Sequence, residues 1–204
     1  MIWFIIATLV AFFIKGLCGF ANTLIFNGIL SYTANNINIS PLEVVLGYPS
    51  NIILVWKERK SLNWKIWLPL TALVVAGSIP GIFLLKHTDA GLLKVIFGIA
   101  VIVIGVEMLF REMKSNRESS NRKPGGSKLV LVLIGIISGL LCGLYGVGAL
   151  LAAYVSRVAE NSHEFKANIC VVFVVENTIR IILYVATGIL TLSVLKQVVI
   201  LIPF

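Results

Sequence analysis

The sequence predicts an all-α integral membrane protein made of two inverted repeats, each opening with a glycine-broken re-entrant helical hairpin. Three observations carry that prediction. The chain has 204 residues, 58% of them hydrophobic and 13% charged, with a mean hydropathy of +0.99; an ordinary soluble chain is roughly a quarter charged. Its apolar residues come in long continuous runs. The order of features in the first half recurs in the second. A water-soluble fold of this composition would expose more apolar surface than it could hide. Disorder and a disulfide scaffold are excluded by the same composition. Cys18, Cys142 and Cys170 all sit inside apolar runs and form no C-x-x-C or Cys/His cluster, so no redox motif, metal site or cofactor is indicated.

The runs follow in order. Residues 1–32 are uncharged apart from Lys15, with no basic segment before Ile2–Phe13 to mark a signal peptide. A polar stretch, Thr33–Ser40, precedes Pro41, which is expected to start a helix. The second run, Leu42–Trp56, stops at Lys57-Glu-Arg-Lys60. Trp64 and Trp67 stand at the lip of the third run, Leu68–Leu85, where interfacial aromatics belong. A tight turn at Lys86–Asp89 leads to the fourth, Leu92–Phe110. Leu129–Val155 and Ala167–Leu190 come next, and a last segment from Leu192 stops at Phe204. At about 20 residues per span, the chain holds at most about seven or eight membrane segments. The runs lack the period-two alternation of an outer-membrane strand. The chain divides into a first membrane repeat over 1–111, a basic linker over 112–127 and a second repeat over 128–204.

Basic residues orient these runs. Lys57, Arg59, Lys60 and Lys65 fill loop 57–65; Arg111, Lys114, Arg117, Arg122, Lys123 and Lys128 fill loop 111–128. Two spans separate the loops, so both are expected in the cytoplasm, with turn 86–91 outside. Lys86 and Lys94 lie on the wrong side of this scheme. Most of the +8 net charge is thereby a topology signal.

Cys18-Gly19 in the first half and Cys142-Gly143 in the second are offset by 124 residues; Asn51 and Asn177 are offset by 126. Doubled halves of this kind are common in transporters. Gly135, Gly139 and Gly143 recur every fourth residue and would form a flat packing ridge. Gly146 and Gly148 leave that register, and Gly16, Gly19 and Asn22 make no ridge, which favours broken helices at both places. If 1–32 and 129–156 are hairpins of half-helices, the N-terminus lies outside and loop 157–166, with Arg157 and Lys166, falls inside with the other basic loops. Half-helices of about 14 residues would reach about 20 Å, to the midplane of a core about 30 Å thick. Broken helices there present N-terminal ends that attract anions, and irregular backbone at that depth must line protein or a wet cavity.

These residues carry a resemblance. The glycine-rich hairpins Gly16–Asn22 and Gly139–Gly148, the run Glu176-Asn177-x-x-Arg180-x-x-x-Tyr184-x-x-x-Gly188, and the counterpart Asn51 with Ser61-Leu-Asn-Trp64 resemble the sulfite exporter TauE/SafE family, also called TSUP. The resemblance covers nearly the whole chain. It implies a secondary transporter, an exporter or importer of sulfite, organosulfonates, thiosulfate or related small anions across a bacterial-type inner membrane. The first hairpin departs from the family in Phe20-Ala21-Asn22, where more glycine is usual. Phe204 falls opposite about residues 76–80 of the first half, so the second repeat reads as truncated.

The strongest local signal is Glu176 with Arg180, spaced i, i+4 on one helix face. A charge at the bilayer centre costs about 3 kcal/mol on insertion scales, so these two either glue helices together or serve an anion site, with Glu176 also a candidate for proton coupling. Asn51, Asn177 and Asn22 are matched or tip-placed amides, either interhelical bonds or ligands. Backbone at Gly19, Gly143 and Gly146 completes the candidate anion site. Cys18 and Cys142 either permit close packing or offer weak S–H contacts to the anion. Lys15 either snorkels or faces the cavity. Glu107 reads as an interfacial partner of Arg111, and His87 and His163 as solvated loop residues. No nucleophile–base set marks an enzyme, and nucleic-acid binding is not expected. Beside a carrier, a passive anion channel and a non-transporting membrane subunit remain alternatives; proton coupling and self-association stay open.

Overall fold

The computed structural model describes residues 2–31, 36–89, 128–146 and 148–203, with scattered positions between 91 and 109. Its named elements are α1 (Ile2–Cys18), α2 (Asn22–Leu30), α3 (Asn36–Glu58), a 3-10 turn at Arg59–Ser61, α4 (Trp64–His87), α5 (Lys128–Tyr145), α6 (Ala149–Val158), α7 (Ser162–Ala186) and α8 (Leu192–Leu201). No strand occurs among the described residues, as the unbroken apolar runs predict. The described positions between 91 and 109 are helical as well. Among the described residues, three helices are long and apolar enough to cross a membrane: Asn38–Ser61, Trp64–His87 and Ser162–Ala186. Their outward residues include Ile52, Ile53, Leu68, Phe83 and Ile182, all exposed large hydrophobics, as lipid contact requires. Trp56 and Trp64 are exposed on either side of the turn between α3 and α4, the interfacial setting that indole favours.

Three details differ from the sequence reading. Helix α3 starts at Asn36, before Pro41 rather than at it, because Ile39 and Ser40 are buried against the rest of the fold and tertiary packing outweighs the proline. His87 closes α4, where its Nδ1 meets the carbonyl of Phe83 at 2.8 Å. His163 lies in the first turn of α7 and meets Glu58 Oε2 at 2.8 Å; it is exposed, yet engaged. Glu107, Arg111 and the 112–127 linker lie outside the described residues.

Two helix pairs organise the interior. Helices α3 and α7 run antiparallel: Ser40 Oγ meets Tyr184 Oη at 3.1 Å, Tyr48 Oη meets Thr178 Oγ1 at 2.9 Å, and past the end of α3 the Asn63 amide donates to Asn168 Oδ1 at 3.0 Å. Asn63 also donates from Nδ2 to Glu164 Oε1 at 2.9 Å and caps α4 by accepting from the Lys65 amide. The loops around residues 57–65 and 157–166 therefore lie together at one end of the bundle. At the other end, Lys86 Nζ donates to the carbonyl of Thr187 at 2.9 Å.

Helices α4 and α5 run parallel in close backbone contact. A Cβ on Gly77 would run into the carbonyl of Ile136, and one on Gly139 into that of Val74. A Cβ on Gly81 would lie 2.6 Å from the carbonyl of Leu140, and one on Gly135 the same distance from Leu73 Cβ. The four-residue glycine spacing of α5 is thus a packing seam, met by Gly77 and Gly81 at the same spacing on α4. Small residues let backbones approach this way where no hydrophobic drive exists between helices in lipid.

Candidate functional site

The apolar segments at either end of this scaffold are interrupted at the glycines. Helix α1 ends at Cys18; Gly19 (φ 82°) and Ala21 (φ 75°) both take left-handed backbone, and α2 starts at Asn22. The chain reverses there, so that Ala7 and Ala11 of α1 share a core with Phe26 and Leu30 of α2. In the second half α5 ends at Tyr145, Gly146 takes φ 73°, and α6 starts at Ala149. Left-handed backbone costs a non-glycine residue about 1–2 kcal/mol, so Ala21 holds a strained position.

The two breaks meet. A small cavity is lined by Phe20, Asn22 and Thr23 from the first, and by Gly146 and Gly148 from the second, with Phe173 of α7 closing it. The N-termini of α2 and α6 both open on it. Neither the Ala21 nor the Gly148 cap position supplies a side-chain hydrogen bond to its helix. Free first-turn N–H groups, with about half a positive charge at each helix start, make an anion-attracting wall.

Beneath the cavity lies a polar core. Asn22 Nδ2 donates to Glu43 Oε1 at 2.5 Å and Thr23 Oγ1 donates to the same oxygen at 2.6 Å. Lys15 is buried and donates from Nζ to the carbonyl of Gly47 at 3.2 Å; it faces inward and does not snorkel. A Cβ on Gly47 would stand 3.2 Å from Glu43 Oε1 and 3.7 Å from Lys15 Nζ, so glycine there lets α3 bring these groups together.

Arg180 is 1% exposed. Its Nη2 donates to Ser40 Oγ at 2.6 Å and to Tyr184 Oη at 3.0 Å, and its Nε lies 3.5 Å from Glu176 Oε1. The third nitrogen, Nη1, points at Gly146: a Cβ built there would stand 2.6 Å from it, 2.7 Å from Thr23 Cγ2 and 3.1 Å from Glu43 Oε2. One glycine therefore separates the arginine, the carboxylate and the tip of the first hairpin. The ion pair between Glu176 and Arg180 is long, and Glu176 Oε1 has no hydrogen-bond partner among the described residues.

Of the residues singled out in the sequence, Arg180, Glu176, Asn22 and Gly146 converge at this centre. Asn51 lies two turns along α3 from Glu43, buried, its Oδ1 lacking a partner among the described residues. Asn177 is buried next to Glu176 on α7. Gly19 sits against α7: a Cβ on it would lie 3.1 Å from Lys166 Cγ, and its carbonyl accepts from Cys170 Sγ at 3.8 Å. Gly143 packs on the backbone of Ser78 within the glycine seam. Cys142 is a buried thiol in the core cluster with Leu70, Val74 and Leu151, and the Cys18 side chain lies outside the described residues. Sequence reasoning missed Glu43, Thr23, Ser40 and Gly47. Glu43 carried a readable signal, an acidic residue inside an apolar run, which inside a membrane is a site candidate by default. Thr23, Ser40 and Gly47 carried none.

The described residues hold no group of three His, Cys, Asp or Glu side chains placed to bind a metal ion. What the arrangement offers is hydrogen-bond donors, two helix starts and paired buried charges around a small space, which suits binding a small anion. No curated protein and no solved structure matches the chain. A family model described as sulfite exporter TauE/SafE does match it, over residues 4–203. With its membrane-length apolar helices, this multi-pass membrane protein belongs to the sulfite exporter TauE/SafE family.

Proposed function

We propose that the chain is a secondary transporter that exports small sulfur-containing anions, such as sulfite, organosulfonates or thiosulfate, across a bacterial-type inner membrane. The observation that carries this reading is the meeting of two helix N-termini without side-chain caps at one cavity, directly above Arg180. Such ends favour oxyanions without any dedicated cationic side chain, and Arg180 adds a fork suited to planar or pyramidal oxygen sets. Asn22, which lines the cavity, and Asn177, buried beside Glu176, would contribute amide donors.

Helix directions support an inverted repeat. Helix α3 runs opposite to α7, its counterpart in the second half, as a two-fold axis in the membrane plane requires. The shared end of loops 57–65 and 157–166 fits a second hairpin that enters and leaves on one side, with both loops cytoplasmic and the N-terminus outside. Exposure of the site to each side in turn would follow from one bundle moving against the other.

Reconstituted vesicles test this. Sulfite efflux should saturate, show counterflow and fall at least tenfold in Arg180→Ala, while the protein stays folded by circular dichroism. Unsaturable flux without counterflow would favour a channel. Sulfite binding and efflux unchanged in Arg180→Ala would sink the site assignment.

A further inference from the structure

We propose that Glu43 is the proton-carrying group of the anion site: its carboxylate holds the hydrogen-bond donors that an anion needs, and protonation releases them. The proposal rests on the anion-transport reading above and names the coupling and the substrate charge that go with it.

The geometry is that of competition. Glu43 Oε1 takes both the Asn22 amide and the Thr23 hydroxyl, at 2.5 and 2.6 Å. Both donors belong to the first turn of α2, and both line the cavity. The second oxygen, Oε2, faces Gly146 on the cavity's other wall. The carboxylate is in effect a tethered anion already occupying donors at the edge of the site. An incoming oxyanion meets those donors engaged, and meets a like charge beside them.

Charge count points the same way. Glu43 is faced by Lys15 from α1, by Arg180 and Glu176 from α7, by the Cys142 thiol from α5 and by the neutral donors Asn22 and Thr23 from α2. Glu164, also buried, is engaged at the loop end by Asn63. With Lys15, Glu43, Glu176 and Arg180 all ionised, the centre is neutral. Adding a monovalent anion alone would leave it one charge negative in a medium where unpaired charge is costly. Adding a proton to Glu43 with the anion restores neutrality. A proton from hydronium or buffer acid in solution on the loading side joins the carboxylate, Asn22 and Thr23 turn to the anion, and on release proton and anion leave to the same side. One proton then accompanies each monovalent oxyanion, and no net charge crosses.

The test uses the purified full chain in detergent and methanesulfonate, whose single negative charge does not change around neutral pH. Sulfite itself titrates in that range and is used only to check for binding. Calorimetry in buffers of different ionisation enthalpy should give about one proton taken up per methanesulfonate bound. Glu43→Gln should bind with uptake near zero and with affinity independent of pH. Infrared difference spectra on binding should show a new protonated-carboxyl band that Glu43→Asp shifts. Binding by the wild type without proton uptake overturns the proposal even if Glu43→Gln does not fold. So does undiminished uptake in Glu43→Gln, or a carboxyl band that Glu43→Asp leaves in place. If the wild type binds neither methanesulfonate nor sulfite, the anion-site reading falls and the proposal with it.

Discussion

Arg180 and Gly146 are separated by less than a methyl group: a Cβ on Gly146 would lie 2.6 Å from Arg180 Nη1. This contact joins the break in the second hairpin to the buried cation of α7. It also makes Gly146 doubly constrained, by its φ of 73° and by that neighbour.

Gly146→Ala is therefore expected to cost about 1–2 kcal/mol from backbone strain alone and to push the guanidinium out of register with Ser40 and Tyr184. Anion flux in vesicles should drop at least tenfold while the helical circular dichroism signal persists. Wild-type flux in this variant would show that the Arg180 position does not matter to transport.

The glycine seam gives a contrast between two kinds of glycine. Gly139→Ala puts a methyl into the Val74 carbonyl, and overpacking of this sort costs about 1–3 kcal/mol. Gly16 lies inside α1 with nothing near its missing Cβ, so Gly16→Ala should be neutral or stabilise by up to about 1 kcal/mol. Thermal unfolding in detergent, measured on both, should move them in opposite directions or leave Gly16→Ala unmoved. Equal losses would mean that α4 and α5 do not pack through their backbones.

Sidedness is testable without transport. The contacts between Glu58 and His163, and between Asn63 and Glu164, place Lys60 and His163 at one end of the bundle and Lys86, near Thr187, at the other. Single cysteines at Lys60 and His163, in a background with Cys18, Cys142 and Cys170 replaced, should react with an impermeant maleimide from the same face of the membrane. A cysteine at Lys86 should react from the opposite face. Labelling of Lys60 and His163 from different faces would break the paired-loop arrangement.

How far the sequence reached can be seen in particular residues. Arg180, Glu176 and Gly146 stood out because a charge or an off-register glycine inside an apolar run has few structural excuses. Helical character was legible for the same reason: long unbroken runs leave no other way to satisfy the backbone in lipid. Glu43 was overlooked because it sits three residues past the polar stretch Thr33–Ser40, where a run edge is hard to set. Once α3 begins at Asn36, Glu43 is two turns inside the helix, not at its lip. The α5 glycine spacing was visible, but its partner on α4 was not, since Gly77 and Gly81 reveal their role only when a second backbone lies across them. Thr23 and Ser40 are ordinary hydroxyls until folding brings Glu43 and Arg180 to them.

The glycine seam also limits how this molecule can change shape. Helices whose backbones touch cannot slide past one another by fractions of a turn, because each small residue sits in a notch shaped by the chain opposite; packed contacts of this kind switch between discrete settings and do not deform smoothly. In the proposed bundle motion, helices α4 and α5 would then travel as one rigid member. The antiparallel pair α3 and α7, joined through side chains such as Ser40, Tyr48, Thr178 and Tyr184, lacks such a seam and would be where the molecule yields, next to the buried charges of Glu43, Glu176 and Arg180.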